Sequence, residues 1–337
     1  MSTQSSPSTN IDALLAGLKI RTGELGKAIN ESQVVTLNRV PTRPLNTKQD
    51  IVHALMQVVE RRYGIATGEL VERKLVRIFE PMSFAELENW SQALLSPYAV
   101  EAEWLSLVEC LTNHETYFDR DKDQLAVLTE EILPRLIERK NESGDYRLRI
   151  WSAGCSSGEE TYNLAMLTLL AMKDAGFAIE KNDGAIHSLP TWNISVLGSD
   201  ISSQMLRTAR EGYYQAAEMG SFRSMDLKLW RFFEAPPESA NWSGNGHGMH
   251  VKRCVSAICR FRSHNLLEPL PEAPFDLILC RNVLIYFNPV HKSEVQSNLS
   301  RNLVHGGAVM YGAADLVPCD ESLERCQRNN IFWYEKL

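Results

Sequence analysis

From about residue 51 to 112, apolar residues recur at the spacing of a helix. Leu55, Val58 and Val59 fall on one face, and Val71, Leu75, Ile78 and Phe79 on the face of a second segment. Ser83 followed three residues later by Glu86 is a capping-box pattern, which opens a third helix carrying Phe84, Leu87 and Leu94. Val100, Trp104, Leu107 and Leu111 continue the period. Residues 51–121 therefore read as an N-terminal all-helical domain. A further helix over about 122–140 is expected to kink or end near Pro134.

The period then changes. Short apolar runs alternate with helical stretches: "YRLRIWSAG", a helix over 158–175, "WNISVLGSD", the helix "SSQMLRTAREG", then "AICRFRSHN", "FDLILCRN", "GAVMYGAAD" and "NIFWYEKL". Strands that alternate with helices and are apolar almost throughout predict an α/β domain, its parallel sheet covered on both faces, over 122–337. The last run follows a short connection and is expected as an antiparallel edge strand. The alternation breaks between Gly212 and Arg260, where "MDLKLWRFF" reads as helical and "ESANWSGNGHGMHVKRCVSAICRF" as strands with Gly-rich turns. About 213–260 is read as a small β-hairpin-like insertion. Residues 1–50 read as a variable, disordered extension and linker, with one short helix at "IDALLAGLKI" and two prolines in "NRVPTRPLNTKQD".

Composition narrows the function. A formal charge of −7 over 337 residues argues against a chain built to coat nucleic acid or anionic lipid. No apolar run reaches membrane-spanning length, and "MSTQSSPSTN" lacks the features of a signal peptide, so the cytoplasm is expected. The seven cysteines include no repeated CxxC, and Cys254 and Cys259 lack partners for a zinc site, so no metal is expected.

In an open parallel sheet, ligands bind beyond the carboxyl ends of the strands. Here the first strand ends in Ala153–Gly154 and a turn of small residues, the second in Asp200, the third in Asn265 and the fourth in Arg281–Asn282. The turn is followed by Glu159 and Glu160, where a phosphate-binding turn would present bare N–H groups. Two carboxylates beside a diphosphate would repel it, and the turn has neither a P-loop lysine nor a full GxGxxG. The ligand implied carries an amine, a sulfonium or hydroxyls; S-adenosyl-L-methionine has all three and no phosphate. Asp200 is placed to accept a ribose diol, or to cap the following helix, and "EKNDGAIHSLPTW" (180–192) accounts as an inserted loop for its long separation from the turn. Glu159 at a first helical turn complements the helix dipole, worth about 0.3–1 kcal/mol.

"TNHETYFDRD" (112–121), "WSAGCSSGEETYNLAM" (151–166), "GSDIS" (198–202), "NLLE" (265–268) and "CRNVLIYF" (280–287) are similar, in order, to the motifs of CheR-type chemoreceptor glutamate methyltransferases. The resemblance covers roughly 51–337. It implies a class I, Rossmann-like S-adenosylmethionine-dependent fold with a seven-stranded, mostly parallel sheet, an N-terminal helical domain and a small antiparallel β-subdomain. It implies methyl transfer to receptor glutamates, giving γ-methyl esters and S-adenosyl-L-homocysteine. Carried over by motif, His114, Thr116, Arg120, Gly154, Glu160, Asp200, Asn265, Leu266, Arg281 and Asn282 match cofactor-contacting positions. Arg120 and Tyr286 match positions at the reacting centre. His114 stands where Asn is common, and Asp119 where a second aromatic is common; Asp119 is read as pairing with Arg120 or facing solvent.

The partners implied are the cytoplasmic methylation helices of chemoreceptors, met by a protein expected to be a monomer. Arg61, Arg62, Arg73, Lys74 and Arg77 would supply a basic face for them, or form an ordinary solvated one among Glu60, Glu69 and Glu72. In some relatives the β-subdomain binds a receptor's C-terminal peptide, which makes that insertion a second candidate contact. The alternative reading is a cofactor-binding regulatory module of a chemosensory pathway with little turnover.

Overall fold

The computed structural model describes residues 45–96, 99–215, 220–235 and 248–337. Residues 1–44 of the expected extension, with its "IDALLAGLKI" helix, lie outside the described residues, as does most of "SGNGHG", whereas 48–50 open a helix. The chain divides into two compact units: the described residues up to Asn113 with Tyr286–Asn288, and His114–Ile285 with Pro289–Leu337.

The first unit is helical. Helix α1 (Lys48–Tyr63) starts three residues earlier than the pattern suggested, because Thr47 and Asp50 form a capping box ahead of its first apolar residue. It packs against α2 (Glu69–Phe79), α3 (Phe84–Leu94) and α4 (Glu101–Leu111), burying Ile51, Leu55, Leu75, Leu87, Leu94 and Trp104. The box of Ser83 and Glu86 forms as read.

The second unit is built on a sheet. Helix α5 (Lys122–Val127) passes through one wide π turn at Leu128–Ile132 into α6 (Leu133–Ser143). Pro134 has no N–H to give, so the ladder widens just ahead of it and the helix continues. Then come β1 (Arg147–Ala153), α7 (Glu159–Asp174), a hairpin of β2 (Ala178–Glu180) and β3 (Ile186–Ser188), β4 (Asn193–Asp200) and α8 (Ser203–Glu211). The insertion contributes β5 (Tyr213–Gln215), β6 (Phe233–Glu234), β7 (Gly248–Val251) and a short α9 (Arg253–Ser256). The chain closes with β8 (Cys259–Ser263), β9 (Phe275–Cys280), α10 (Pro289–Arg301), β10 (Leu303–Tyr311), β11 (Leu323–Arg328) and β12 (Ile331–Lys336).

Among the described residues, seven strands form one sheet in the order β11-β12-β10-β9-β1-β4-β8. Strands β10, β9, β1, β4 and β8 run parallel, and β12 and β11 turn back antiparallel. The order reverses between β1 and β9, so the ligand crevice of such a sheet opens at the ends of β1, β4 and β9. A second antiparallel sheet, β5-β7-β6, is the small subdomain.

Four expectations shift. The expected loop at 180–192 carries the turn and second strand of the β2–β3 hairpin, which begins at Ala178 and folds over α7. Part of the stretch read as strands is the helical turn α9; the helical reading of "MDLKLWRFF" is met by a 3-10 helix, Leu227–Phe232. The antiparallel edge is β11, paired outside β12. Segment 114–121, read as the end of the helical domain, groups with the sheet unit. Phe118 explains this grouping: it is fully buried among Tyr214, Phe222 and Phe233, and its N–H donates to the Ser221 carbonyl at 2.8 Å.

Candidate active site

The turn after β1 is shaped by small residues. Gly154 has φ +78°, and a Cβ there would lie 2.5 Å from Val283 Cγ2. Gly158 has φ +95°, and its Cβ would lie 2.8 Å from that of Ala209. Both positions demand glycine for backbone conformation and for space. Three of the turn's N–H groups are given to the end of β4. Gly154 and Cys155 donate to the Ser199 carbonyl at 2.8 and 2.9 Å, and Ser156 donates to Asp200 Oδ2 at 2.7 Å.

Asp200 is buried, and its other oxygen accepts the Ser202 N–H at 2.9 Å. Ser202, not Asp200, caps α8, by accepting the Met205 N–H. Burial raises the Asp200 pKa, opposed by the N–H bonds from Ser202 and Ser156. The His264 N–H donates to the Asp200 carbonyl and thereby fixes the end of β8 beside it. Asn265 turns the chain by accepting the Leu267 N–H at 3.1 Å, and the carbonyl of buried Leu266 is held by Asn298.

The paired acids have separate fates. Glu159 is 2% exposed and accepts hydroxyl hydrogens from Ser157 and Ser221 at 2.6 and 2.7 Å, so it ties the turn to the insertion as well as complementing the helix dipole. Glu160 accepts from Ser152 at 2.7 Å and from Arg281 at 3.1 Å. Burial raises the pKa of both; the hydroxyls of Ser157 and Ser221 oppose it at Glu159, and Arg281 at Glu160.

Arg281 is buried and committed: to Gln124 at 2.8 Å, to Glu160 and Asp121 at 3.1 Å each, and to the Arg120 carbonyl. The structure thus places it as the holder of Glu160. Arg120 donates to the Glu115 carbonyl at 2.6 Å, lies over the Tyr117 ring, and acts on Glu160 through its charge. Asp119 takes neither course read from the sequence. It is buried at φ +56°, accepts the Asp226 N–H at 2.7 Å and donates its own N–H to Asn163. Arg120 therefore keeps its charge for another carboxylate. The His114 carbonyl accepts from Ser156 Oγ at 3.0 Å, and Thr116 lies half-buried on the same loop.

A profile described as the CheR methyltransferase SAM-binding domain matches residues 114–332. The chain belongs to the CheR methyltransferase family. Chemotaxis protein methyltransferase 1 of Vibrio cholerae is 34% identical over 262 residues, spanning 76% of this chain and 86% of that protein. Its Pseudomonas aeruginosa namesake is 30% identical with the same coverage. The chemotaxis protein methyltransferase of Borreliella burgdorferi is 26% identical over 83% of this chain and 93% of its own.

The CheR SAM-binding domain fits the donor set. Its turn gives three N–H groups to β4 and presents carboxylates, which suits a cation and a diol better than a diphosphate. Tyr286 falls in the helical unit, where its hydroxyl donates to the Asn113 carbonyl at 2.9 Å and its carbonyl accepts from Ala66. Asn282 stands at φ +58°, with its N–H 2.7 Å from Asp315 Oδ2. Asp315 was missed in the sequence, although it follows the last parallel strand as Asp200 ends the second.

Proposed function

We propose that this CheR protein transfers the methyl group of S-adenosyl-L-methionine to glutamate side chains of chemotaxis receptors, leaving S-adenosyl-L-homocysteine. The observation that carries the reading is the pair of carboxylates, Glu160 at the head of α7 and Asp200 at the end of β4, over a turn that gives three of its N–H groups to β4. Glu160 holds the cofactor's amine, steadied by Arg281 and Ser152. Asp200 accepts from the ribose hydroxyls. Gly154, His114, Thr116, Asn265, Leu266 and Asn282 line the same rim. Arg120, beside Glu160 and unclaimed by Asp119, binds the carboxylate next to that amine.

Bound S-adenosylmethionine supplies a methyl on a sulfonium, already activated. The acceptor glutamate has an ordinary pKa of about 4.3 and arrives ionised, so the protein need supply no general base. Its work is in-line positioning and partial removal of water from the carboxylate. The partner is a cytoplasmic methylation helix of a receptor. Arg73 and Arg77 stand exposed on α2 with Leu70 and Val76, which suits an acidic amphipathic helix. Lys74 and Arg62 serve the fold: Lys74 donates to the Leu111 carbonyl at 2.8 Å, and Arg62 pairs with Glu101.

The test is methyl-labelled S-adenosylmethionine with cytoplasmic receptor fragments from the same host. Label entering the fragment and leaving as methanol in alkali supports the ester. No label, with cofactor binding intact, supports the regulatory module.

A further inference from the structure

Asp315 joins two rim loops. Its Oδ2 accepts N–H groups from Asn282 at 2.7 Å and Gly312 at 2.9 Å, and its Oδ1 accepts that of Ile285 at 3.1 Å. Asn282 and Ile285 bracket Val283, the residue whose Cγ2 occupies the space a Cβ at Gly154 would fill. Gly312 has no room for a side chain either, since a Cβ there would lie 2.6 Å from the Asn282 nitrogen and 2.7 Å from Asp315 Oδ2. Asn282 is held at positive φ, a conformation that needs outside support. Arg281, one residue earlier, carries Glu160. A single buried carboxylate thus fixes the loop that presses on the cofactor turn from one side and steadies its acid from the other.

We infer that Asp315 is a positioning residue for cofactor binding: it clamps residues 281–285 so that Val283 seats on Gly154 and Arg281 holds Glu160. The inference rests on the reading of this rim as the S-adenosylmethionine site. Three N–H groups converging on one carboxylate are charge-assisted bonds that a neutral amide reproduces poorly. Burial pushes the Asp315 pKa up, and the three N–H groups oppose it.

The experiment compares Asp315→Asn with the wild type by calorimetry against S-adenosylhomocysteine and by steady-state methyl transfer. Loss of one charge-assisted bond is expected to weaken S-adenosylhomocysteine binding and raise KM for S-adenosylmethionine by about tenfold. The values of kcat at saturating cofactor and of KM for the receptor fragment should stay within about twofold. A merely structural role would lower the melting temperature and leave this split absent. Gly312→Ala, which strains the same clamp, should show the same split. Should either variant fail to fold, hydrogen exchange on the wild type decides: the Asn282 and Ile285 amides should be as protected as those of strand β9 without ligand. Fast exchange there, or an Asp315→Asn protein that binds S-adenosylhomocysteine as the wild type does, overturns the inference. A wild type that does not bind S-adenosylhomocysteine overturns the function reading instead.

Discussion

The two ends of the same sheet treat buried acids in opposite ways. At the amino end, Asp276 opens β9 almost fully buried and meets Lys140 at 2.8 Å, while the Arg149 N–H donates to its other oxygen at 2.9 Å. Lys140 also binds Asp145, which Arg147 grips from the other side. Charge there is matched by charge. At the carboxyl end, Glu159 and Asp200 are satisfied by hydroxyls and backbone N–H groups, and only Glu160 has a buried cation, Arg281. A buried charge costs several kcal/mol unless paired. The amino end avoids that cost within the fold; the carboxyl end leaves part of it to be offset by a bound cation. The difference separates an end built for stability from one built for a ligand.

The contrast breaks most visibly at its strongest pair. Lys140→Met removes the nearer cation from Asp276, leaving Arg139 at 3.9 Å, and should cost about 3 kcal/mol in a denaturant melt. The protein that remains folded should bind S-adenosylhomocysteine with unchanged affinity. Asp200→Ala should do the reverse, weakening S-adenosylhomocysteine by about a hundredfold, or about 2.7 kcal/mol, in calorimetry. Glu159→Ala should cost about 1–3 kcal/mol of stability through the stranded hydroxyls of Ser157 and Ser221, and weaken the ligand less than Asp200→Ala. If Glu159→Ala weakens the ligand more, the roles given to the two acids are reversed. Charge reversal of Arg73 and Arg77 together should raise KM for a receptor fragment several-fold, with cofactor affinity untouched, since exposed charges act mainly on encounter.

The two ends also differ in the sign of their pH dependence. Asp145 is held down to about 2 by hydrogen bonds from Lys140 and Arg147. Its contribution is present above the ordinary carboxyl range and is lost as pH falls through about 2. Glu159, Glu160 and Asp200 have raised pKa values. They hold more protons in the folded chain than in the unfolded one, so they destabilise it as pH rises from the ordinary range, near 4, through their raised values.

How much of this was legible in the sequence follows from which positions carry pattern. Strands β1, β4, β9 and β10 were readable because they are buried along most of their length, and polar residues at or just past the strand ends marked the rim. Strand β11, "LERCQR", was not, because an edge strand with most side chains in solvent has no apolar run. The β2–β3 hairpin hid for the same reason, each strand being three residues long. Arg281 and Asp200 were legible as rim residues, but Arg281's four partners come from segments far along the chain. Asp119 was misread because its partner, the Asp226 N–H, is set by tertiary packing around Phe118. Asp315 had a signal, a polar residue after a parallel strand, but it sits four residues beyond the end of β10.

The most direct test of the partly compensated rim is calorimetry of S-adenosylmethionine binding in buffers of different ionisation enthalpy, repeated with pH rising from the ordinary carboxyl range. The cofactor's ammonium beside Glu160 and the ribose hydroxyls on Asp200 both favour the ionised carboxylates, whose pKa values burial raises in the free protein, so net proton release is expected, with affinity increasing as pH rises. Proton uptake, or an affinity that does not change with pH, would contradict the claim that these acids await the cofactor's ammonium and hydroxyls.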